Sequence, residues 1–353
     1  MDSNDWPEPI VPVQSISDSC THVIPDQYIQ PPSRRPSPDL IKNVNIPIID
    51  FHDLTTGDGK MVEYCPATVK EISDACREWG FFQAVNHGLS HELLHRVKDV
   101  WRQFFHLPMV EKRKYSNSPI NYEGYGSRLG IEKKAILDWG DYYFLHILPT
   151  SLKDHSKWPS VPPSTTDTVE EYGKEAVKFC RMVMRALSLS LGLDVGKLEQ
   201  SFEDDSGDGV GSCLRVNFYP KCPQPDLTLG LSPHSDPGGL TLLLADDHVQ
   251  GLQFRREDGW GTIRSLPDAF IVNILSNGVY KSVEHRVMAN STIERISLAF
   301  FFNPKSDLLI GPMADLISTE NPPLYRSMTF NEYRVYIRKN GPKGKSHLES
   351  LKS

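Results

Sequence analysis

The sequence Leu214-Arg-Val-Asn-Phe-Tyr219 opens a stretch of short alternating segments that continues to Phe302. Within it, apolar and polar residues alternate with a period of two, which is typical of strands that bury one face. Pro, Gly, Asn and Asp separate the segments, as in turns between strands. Such a series predicts a two-sheet barrel of the jelly-roll type. The predicted strands are Leu214–Tyr219, Leu240–Leu244, Leu252–Arg255, Gly261–Ile263, Phe270–Ile274, Val283–Val287 and Ile296–Phe302.

Outside this stretch, helical periods dominate the pattern. They predict helices over Ala67–Trp79, from a cap at Ser90 to Phe105, over Val169–Leu193 and over Phe330–Arg338, with strands at Ile46–Phe51 and Phe81–Val85. We therefore expect an α+β fold in which a mainly helical N-terminal region precedes the jelly-roll core. The expected divisions are an N-terminal arm at 1–44, the mainly helical region at 45–205, the core at 206–310, and a helical segment at 311–353 that closes over the site.

Composition points to an intracellular protein that handles a small molecule. Hydrophobic residues make up 39% and charged residues 24% of 353 residues, which is ordinary for a globular protein. The net charge is −7 and the basic residues are scattered, so nucleic acid is not an expected partner. No run of about 18 apolar residues occurs, so a membrane is not an expected partner either. Six widely spaced cysteines read as reduced thiols. We expect a monomer in the cytoplasm, and diffusion into the nucleus is left open.

A metal site is predicted within the strand-rich stretch. His234-Ser-Asp236 puts two ligand-type side chains at i and i+2, on one face of an extended segment, and His285 ends a later predicted strand. Two imidazoles and one carboxylate on one face of Fe(II) leave positions for a chelating co-substrate and dioxygen. The competing interpretation of an isolated His-x-Asp pattern is a hydrogen-bonded turn.

Polar side chains on two other predicted strands indicate an anion site. Arg295 and Ser297 share one face of their strand, and a guanidinium beside a hydroxyl suits the far carboxylate of a dicarboxylic acid. Arg215, Asn217 and Tyr219 likewise share one face and need polar partners if that face is buried. A buried salt bridge at Arg295 and an edge strand facing water at 214–219 are the alternatives.

The motifs together resemble the plant 2-oxoglutarate and Fe(II)-dependent dioxygenases. They are Asn217-Phe-Tyr219-Pro, His234-Ser-Asp236, His285 and Arg295-Ile-Ser297, preceded by Ile46–Phe51 and Trp79-Gly-Phe-Phe-Gln-Ala-Val-Asn-His-Gly88. The resemblance implies that His234, Asp236 and His285 bind Fe(II), and that Arg295 and Ser297 hold 2-oxoglutarate with help from Asn217 and Tyr219. It also implies O2 as co-substrate and ascorbate as reductant.

Within that family the chain is most similar to jasmonate-induced oxygenases, which hydroxylate jasmonic acid, although anthocyanidin synthase and flavonol synthase share much of the pattern. Motifs such as Tyr122-Glu-Gly-Tyr-Gly-Ser127 and Leu137-Asp-Trp139 carry this likeness. Arg334 and Arg338 lie on one side of the predicted last helix, where they would either be solvated or meet Arg215 around a substrate carboxylate. Phe144 and Phe301 are expected walls for an apolar substrate body, with core packing as the alternative.

One departure from the family precedes His285. Relatives carry Gly-Asp-Gln-Leu-Gln and one apolar residue between the strand at 270–274 and Leu-Ser-Asn-Gly, whereas this chain passes directly from Ile274 to Leu275. Loss of about six residues threatens the register of the strand that carries His285, so we expect lower stability and weaker iron binding than with the residues restored.

These residues support three hypotheses about function. The leading one is a dioxygenase that hydroxylates jasmonic acid and so lowers jasmonate signalling in plant defence. A flavonoid oxidase of the anthocyanidin synthase or flavonol synthase type would use the same chemistry on a neutral substrate. A non-catalytic small-molecule binder is the third hypothesis, motivated by the missing residues.

Overall fold

The computed structural model describes residues 6, 10–19, 22–36, 42–55, 65–128, 132–203, 209–257, 259–274, 279–280, 282–340 and 350–352. Its helices are α1 (Val13–Asp18), α2 (His52–Thr55), α3 (Pro66–Glu78), α4 (His91–Phe105), α5 (Met109–Arg113), α6 (Thr165–Ser190), α7 (Lys197–Gln200) and α8 (Phe330–Asn340). None of the helices in these ranges is long and apolar enough to cross a membrane. Ser90 caps α4 as predicted, because its side chain accepts the N–H of Leu93.

Most strands lie in two sheets. They are β1 (Lys42–Val44), β2 (Ile48–Asp50), β3 (Phe81–Val85), β4 (Gly124–Gly126), β5 (Asp141–Leu148), β6 (Gly211–Tyr219), β7 (Leu231–His234), β8 (Leu240–Leu244), β9 (Leu252–Arg256), β10 (Gly259–Ile263), β11 (Phe270–Ile274), β12 (His285–Val287), β13 (Arg295–Asn303), β14 (Leu309–Ile310) and β15 (Met328–Thr329). One sheet has the order β1-β10-β9-β12-β7, and the larger has the order β2-β3-β11-β8-β13-β6-β5-β4, while β14 pairs with β15. The predicted α+β fold with a jelly-roll core is confirmed.

The region 45–205 contributes more strand than its description as mainly helical predicts. β2, β3, β4 and β5 all belong to the larger sheet, and β5 pairs antiparallel with β6 along most of its length. The pattern of Asp141–Leu148 did not show this strand, because both of its faces are largely buried and the alternation is weak. Tertiary pairing with β6, rather than local alternation, therefore decides its conformation.

Helices cover the outer face of the larger sheet and leave its inner face for the site. Phe105 of α4 stacks on Phe218 of β6 with ring centroids 4.7 Å apart, and Tyr172 of α6 meets Phe300 of β13 edge to face. Because side chains alternate across a strand, the intervening residues point into the space between the two sheets. This placement leaves the predicted polar residues of β6 and β13 facing inward.

The N-terminal arm packs against the barrel through a buried carboxylate. Asp141 accepts the backbone N–H groups of Val13 and Gln14 at 2.8 and 3.0 Å, and the hydroxyls of Ser127 and Tyr125 at 2.5 and 3.0 Å. The arm contains α1 and ends in β1, which joins the smaller sheet beside β10. The described part of the arm therefore makes specific contacts with the rest of the fold, despite its proline-rich composition.

Asp141→Ala is expected to lower the free energy of unfolding by about 3 kcal/mol or more, because it leaves several buried donors without an acceptor. Urea unfolding followed by tryptophan fluorescence measures the change. Asp99→Ala is the control, since Asp99 is largely exposed on α4 and its loss should change stability by less than about 0.5 kcal/mol. Equal losses in the two variants would show that the contacts of Asp141 contribute little.

The strand after the missing residues, β12, pairs with a neighbour on each side. Leu275–Gly278 lie outside the described residues, but β12 pairs antiparallel with both β9 and β7, and His285 lies opposite Phe254 and His234. In the pairing with β7 the register shifts between His285 and Val287, whereas the pairing with β9 is regular. The expected loss of stability and iron affinity relative to a chain with the residues restored stays a prediction.

Candidate metal centre and co-substrate site

A cavity of about 250 Å³ lies between the two sheets. Inward-facing residues of β6, β8, β11 and β13 line one side, residues of β7, β9 and β12 line the other, and α8 contributes to the wall. All three predicted metal ligands and both predicted arginine sites border this cavity. The sequence-derived residues are thus gathered in one place although they come from distant parts of the chain.

His234, Asp236 and His285 converge at one point of the cavity wall. One potential ligand atom from each lies within 4.8 Å of the others. Nε2 of His285 is 3.5 Å and Nε2 of His234 is 3.8 Å from the same oxygen, Oδ1 of Asp236. Two imidazole nitrogens and one carboxylate oxygen form the donor set that non-haem Fe(II) uses with open positions. The residues present therefore fit an iron ion.

Backbone carbonyls orient both imidazoles in the same way. Nδ1 of His234 lies 2.8 Å from the carbonyl oxygen of Ser232, and Nδ1 of His285 lies 3.2 Å from that of Val283. A hydrogen bond from Nδ1–H leaves the lone pair of Nε2 directed at the centre. Each histidine therefore uses the residue two positions earlier to fix the tautomer that binds metal.

Electrostatics favour a charged carboxylate between the two rings. Burial would raise the pKa of Asp236, but the imidazoles of His285 and His234 outweigh it and hold that pKa well below its usual range. Burial and the neighbouring His285 lower the pKa of His234 to about 3, which keeps this ring neutral. At His285 burial is outweighed by the Asp236 carboxylate, which raises the pKa of that ring, so His234 and Asp236 are the two ligands held in the neutral and ionised forms that bind a metal.

Asn273 is a site residue that the sequence reasoning missed. Its side-chain amide donates to Oδ2 of Asp236 at 3.2 Å, which leaves Oδ1 directed at the histidines. Asn273 lies on the predicted strand Phe270–Ile274 and interrupts its apolar run, and that interruption was the available signal. The amide fixes which carboxylate oxygen faces the centre.

Arg295 provides a buried cation on the opposite wall. Its Nε donates to the carbonyl of Val249 at 3.3 Å, an Nη donates to the hydroxyl of Ser297 at 3.3 Å, and its guanidinium lies 5.4 Å from the centroid of the Tyr219 ring. Burial lowers the pKa of Arg295. Asp246 acts on Arg295 through its charge, but no ion-pair contact joins the two among the described residues, so the alternative of a direct buried salt bridge is not supported. The group fits the far carboxylate of 2-oxoglutarate.

The inward face of β6 holds a second arginine. Arg215 donates from Nε to Oδ1 of Asn217 at 2.6 Å, and its guanidinium stacks 4.0 Å from the centroid of the Tyr142 ring. All three predicted residues of this strand, including Tyr219, border the cavity, so the alternative of a face in water is wrong. Asn217 contacts Arg215, and its expected help in holding 2-oxoglutarate stays a prediction.

Apolar side chains of β5, β13 and α8 form part of the cavity wall. Phe144, Phe301, Phe330 and Ile337 line the cavity, together with Arg334. Arg334 therefore borders the cavity from the last helix, as the clustering hypothesis requires. The side chain of Arg338 lies outside the described part of the structure, and its place beside Arg334 stays a prediction.

Comparison with known proteins identifies the family. Residues 46–164 match the family model described as non-haem dioxygenase in morphine synthesis N-terminal, and residues 210–304 match the 2OG-Fe(II) oxygenase superfamily. Jasmonate-induced oxygenase 2 of Arabidopsis thaliana is 56% identical, with 98% of this chain and 94% of the relative covered. Oxoglutarate-dependent flavonoid 7-O-demethylase 1 of Ocimum basilicum is 35% identical, with 96% of this chain and 90% of the relative covered.

A solved structure supports the same assignment. The crystal structure of JOX2 in complex with 2OG, Fe and JA superimposes with a TM-score of 0.91 at 55% identity, and 99% of each chain is covered. The family expected from the sequence is therefore confirmed. The chain belongs to the 2OG-Fe(II) oxygenase superfamily and is an oxygenase that depends on iron and 2-oxoglutarate.

Proposed function

We propose that this oxygenase hydroxylates jasmonic acid, with His234, Asp236 and His285 as its iron ligands. The observation that carries the proposal is the presence of two arginine sites in one cavity, Arg295 on β13 and Arg215 on β6, with an apolar compartment beside them. One cation suits the dicarboxylate co-substrate, and the other calls for a second anion. The similar protein JOX2 has been crystallised with 2OG, Fe and JA, which supports this choice of acids.

The two histidines and Asp236 hold iron in this proposal, and Asn273 keeps Oδ1 of the carboxylate turned toward it. When bound, iron with 2-oxoglutarate and O2 supplies the oxidising power for hydroxylation of a C–H bond, with succinate and carbon dioxide as co-products. Ascorbate serves as the external reductant. The protein's part is to fix the substrate carbon beside the metal and to limit access of water.

Arg295 and Ser297 bind the far carboxylate of 2-oxoglutarate, and the Tyr219 ring packs against the guanidinium. A guanidinium that presents two N–H groups to a carboxylate gives both strength and a fixed orientation. Asn217 and Tyr219 assist from β6, where the oxygen of Asn217 also accepts from Arg215 and holds that arginine in the cavity. Arg295 therefore serves 2-oxoglutarate, and Arg215 is left for the second acid, the substrate.

The jasmonate carboxylate is assigned to Arg215, assisted by Arg334 and Arg338 from α8. Phe144 and Phe301 flank the apolar compartment, where they would contact the ring and pentenyl tail. A neutral flavonoid would bring no negative charge to the buried guanidinium of Arg215, which contacts the neutral side chains of Asn217 and Tyr142, and this mismatch disfavours the flavonoid alternative. The assembled ligand set and the family membership likewise disfavour a non-catalytic binder.

Arg215→Gln is expected to raise the KM for jasmonic acid about 10- to 100-fold, because a charge-assisted hydrogen bond to the substrate is lost. The KM for 2-oxoglutarate should change much less, since Arg295 is untouched. Arg215→Lys is the matched control and should recover part of the affinity. Steady-state kinetics with each acid varied in turn gives both constants, and an unchanged jasmonate KM would contradict the assignment.

A substrate panel tests the proposed function itself. Purified protein with Fe(II), ascorbate and 2-oxoglutarate is offered jasmonic acid, its methyl ester, a flavanone and a flavonol, and products are analysed by mass spectrometry. The proposal expects turnover of the free acid, little turnover of the ester, and none of the flavonoids. Preferential oxidation of a flavonoid would contradict the proposed substrate and support the alternative of a flavonoid oxidase.

We further propose a role in jasmonate signalling within the plant cell. Hydroxylation lowers the concentration of jasmonic acid and thereby damps defence signalling. A monomeric enzyme in the cytoplasm, with access to the nucleus, would suffice for this role. Cell fractionation and size-exclusion chromatography with light scattering test location and oligomeric state.

A further inference from the structure

The strand that carries His234 is weakly held by its own sheet. β7 lies at the edge of the smaller sheet, and its pairing with β12 is irregular between His234 and Leu231. It also contains Pro233, which has no N–H to donate to a neighbouring strand. A metal ligand on such a strand needs another source of rigidity, because small displacements of a ligand reduce metal affinity.

Asp138 supplies contacts that the sheet does not. Its Oδ1 accepts the backbone N–H of Ser232 at 2.9 Å and the hydroxyl of the same residue at 2.5 Å. The carbonyl of Ser232 in turn accepts Nδ1–H of His234 at 2.8 Å. A continuous path of hydrogen bonds therefore runs from the carboxylate of Asp138, through one serine, to the imidazole.

Asp138 is itself held in place by its neighbours. The backbone N–H of Trp139 donates to the carbonyl of Leu229 at 2.8 Å, next to the start of β7. The Trp139 side chain is fully buried and meets Tyr28 edge to face at 5.3 Å. Burial raises the pKa of Asp138 to about 6, so at neutral pH the carboxylate is ionised and acts as an acceptor.

We propose that Asp138 is a positioning residue for iron binding, which fixes the peptide of Ser232 and through it the orientation of the His234 imidazole. This inference rests on the proposed role of His234 as an iron ligand. Asp138 touches neither substrate nor metal in this assignment. Its effect therefore appears first in metal affinity and only secondarily in turnover.

The test measures binding of Co(II), a spectroscopic substitute for Fe(II), by absorption titration of the full chain without 2-oxoglutarate. Asp138→Ala is expected to weaken Co(II) binding about 10- to 100-fold. Asp138→Asn keeps an oxygen that accepts from Ser232 and should stay within about threefold of the unchanged chain. Ser232→Ala removes only the hydroxyl, and a loss of about 2- to 10-fold is expected even if Asp138→Ala fails to fold.

Asp141→Asn is the matched control, because this nearby aspartate also accepts backbone and hydroxyl donors but contacts the N-terminal arm instead of β7. It should lower the melting temperature without changing Co(II) affinity. Unchanged affinity in both Asp138→Ala and Ser232→Ala, or an equal loss in Asp141→Asn, would overturn the positioning role. Co(II) binding that survives His234→Ala would instead overturn the metal site itself, so the two failures are distinguishable.

Discussion

Replacing His234 or Asp236 by alanine is expected to reduce turnover of 2-oxoglutarate and jasmonic acid by at least about 100-fold. Each change removes one of three proposed protein ligands, and the two that remain do not hold iron at the working concentration. Succinate formation with Fe(II) added in excess measures the effect. Circular dichroism and thermal unfolding should show an intact fold, because both side chains face the cavity.

The control for this prediction is His155→Ala, which removes an imidazole from an exposed turn that does not border the cavity. Turnover of that variant should equal that of the unchanged chain. If both His234→Ala and Asp236→Ala retained the activity of the unchanged chain, the assignment of these residues as metal ligands would be wrong. Loss of activity together with loss of the fold would show a structural role for these side chains.

Arg295→Ala is expected to raise the 2-oxoglutarate concentration needed for half-maximal rate about 10- to 100-fold, because the far carboxylate loses a charge-assisted contact in a buried setting. The KM for jasmonic acid should change little, since Arg215 is unaltered. Kinetics with one acid saturating and the other varied separates the two effects.

Arg295→Lys provides the matched comparison. Lysine retains the charge but loses the two-pronged geometry of the guanidinium, so the 2-oxoglutarate constant should fall between those of the alanine variant and the unchanged chain. If the jasmonate constant rose instead while the 2-oxoglutarate constant stayed fixed, the two acids would have been assigned to the wrong arginines.

Local sequence patterns were sufficient to predict which side chains lie on the inner faces of the barrel. Alternation along 214–219 and 295–302 predicts which side chains face the cavity, because a strand has only two faces and the apolar set occupies the other. The structure accordingly places Arg215 and Arg295 on the cavity wall and packs Phe218 and Phe300 against the helices. The orientation of these side chains could be predicted without knowing which distant segments pair with their strands.

Local sequence patterns do not predict the contacts between segments that lie far apart in the chain. Nothing local to Asp141–Leu148 reveals that β5 completes the larger sheet, since its partner β6 lies far along the chain. Asn273 and Asp138 acquire their roles only where folding brings them to Asp236 and Ser232. The register of β12 after the missing residues likewise depends on pairing with β9 and β7 and not on the sequence between the strands.

The most direct test of the claim that this chain hydroxylates jasmonic acid compares the amounts of the two products formed. Purified chain is incubated with Fe(II), ascorbate, O2, 2-oxoglutarate and jasmonic acid, and succinate and hydroxylated jasmonic acid are measured in the same samples. The account predicts that both accumulate in equal amounts and that neither forms without added iron. Succinate formation that is indifferent to jasmonic acid, with no hydroxylated product, would contradict it.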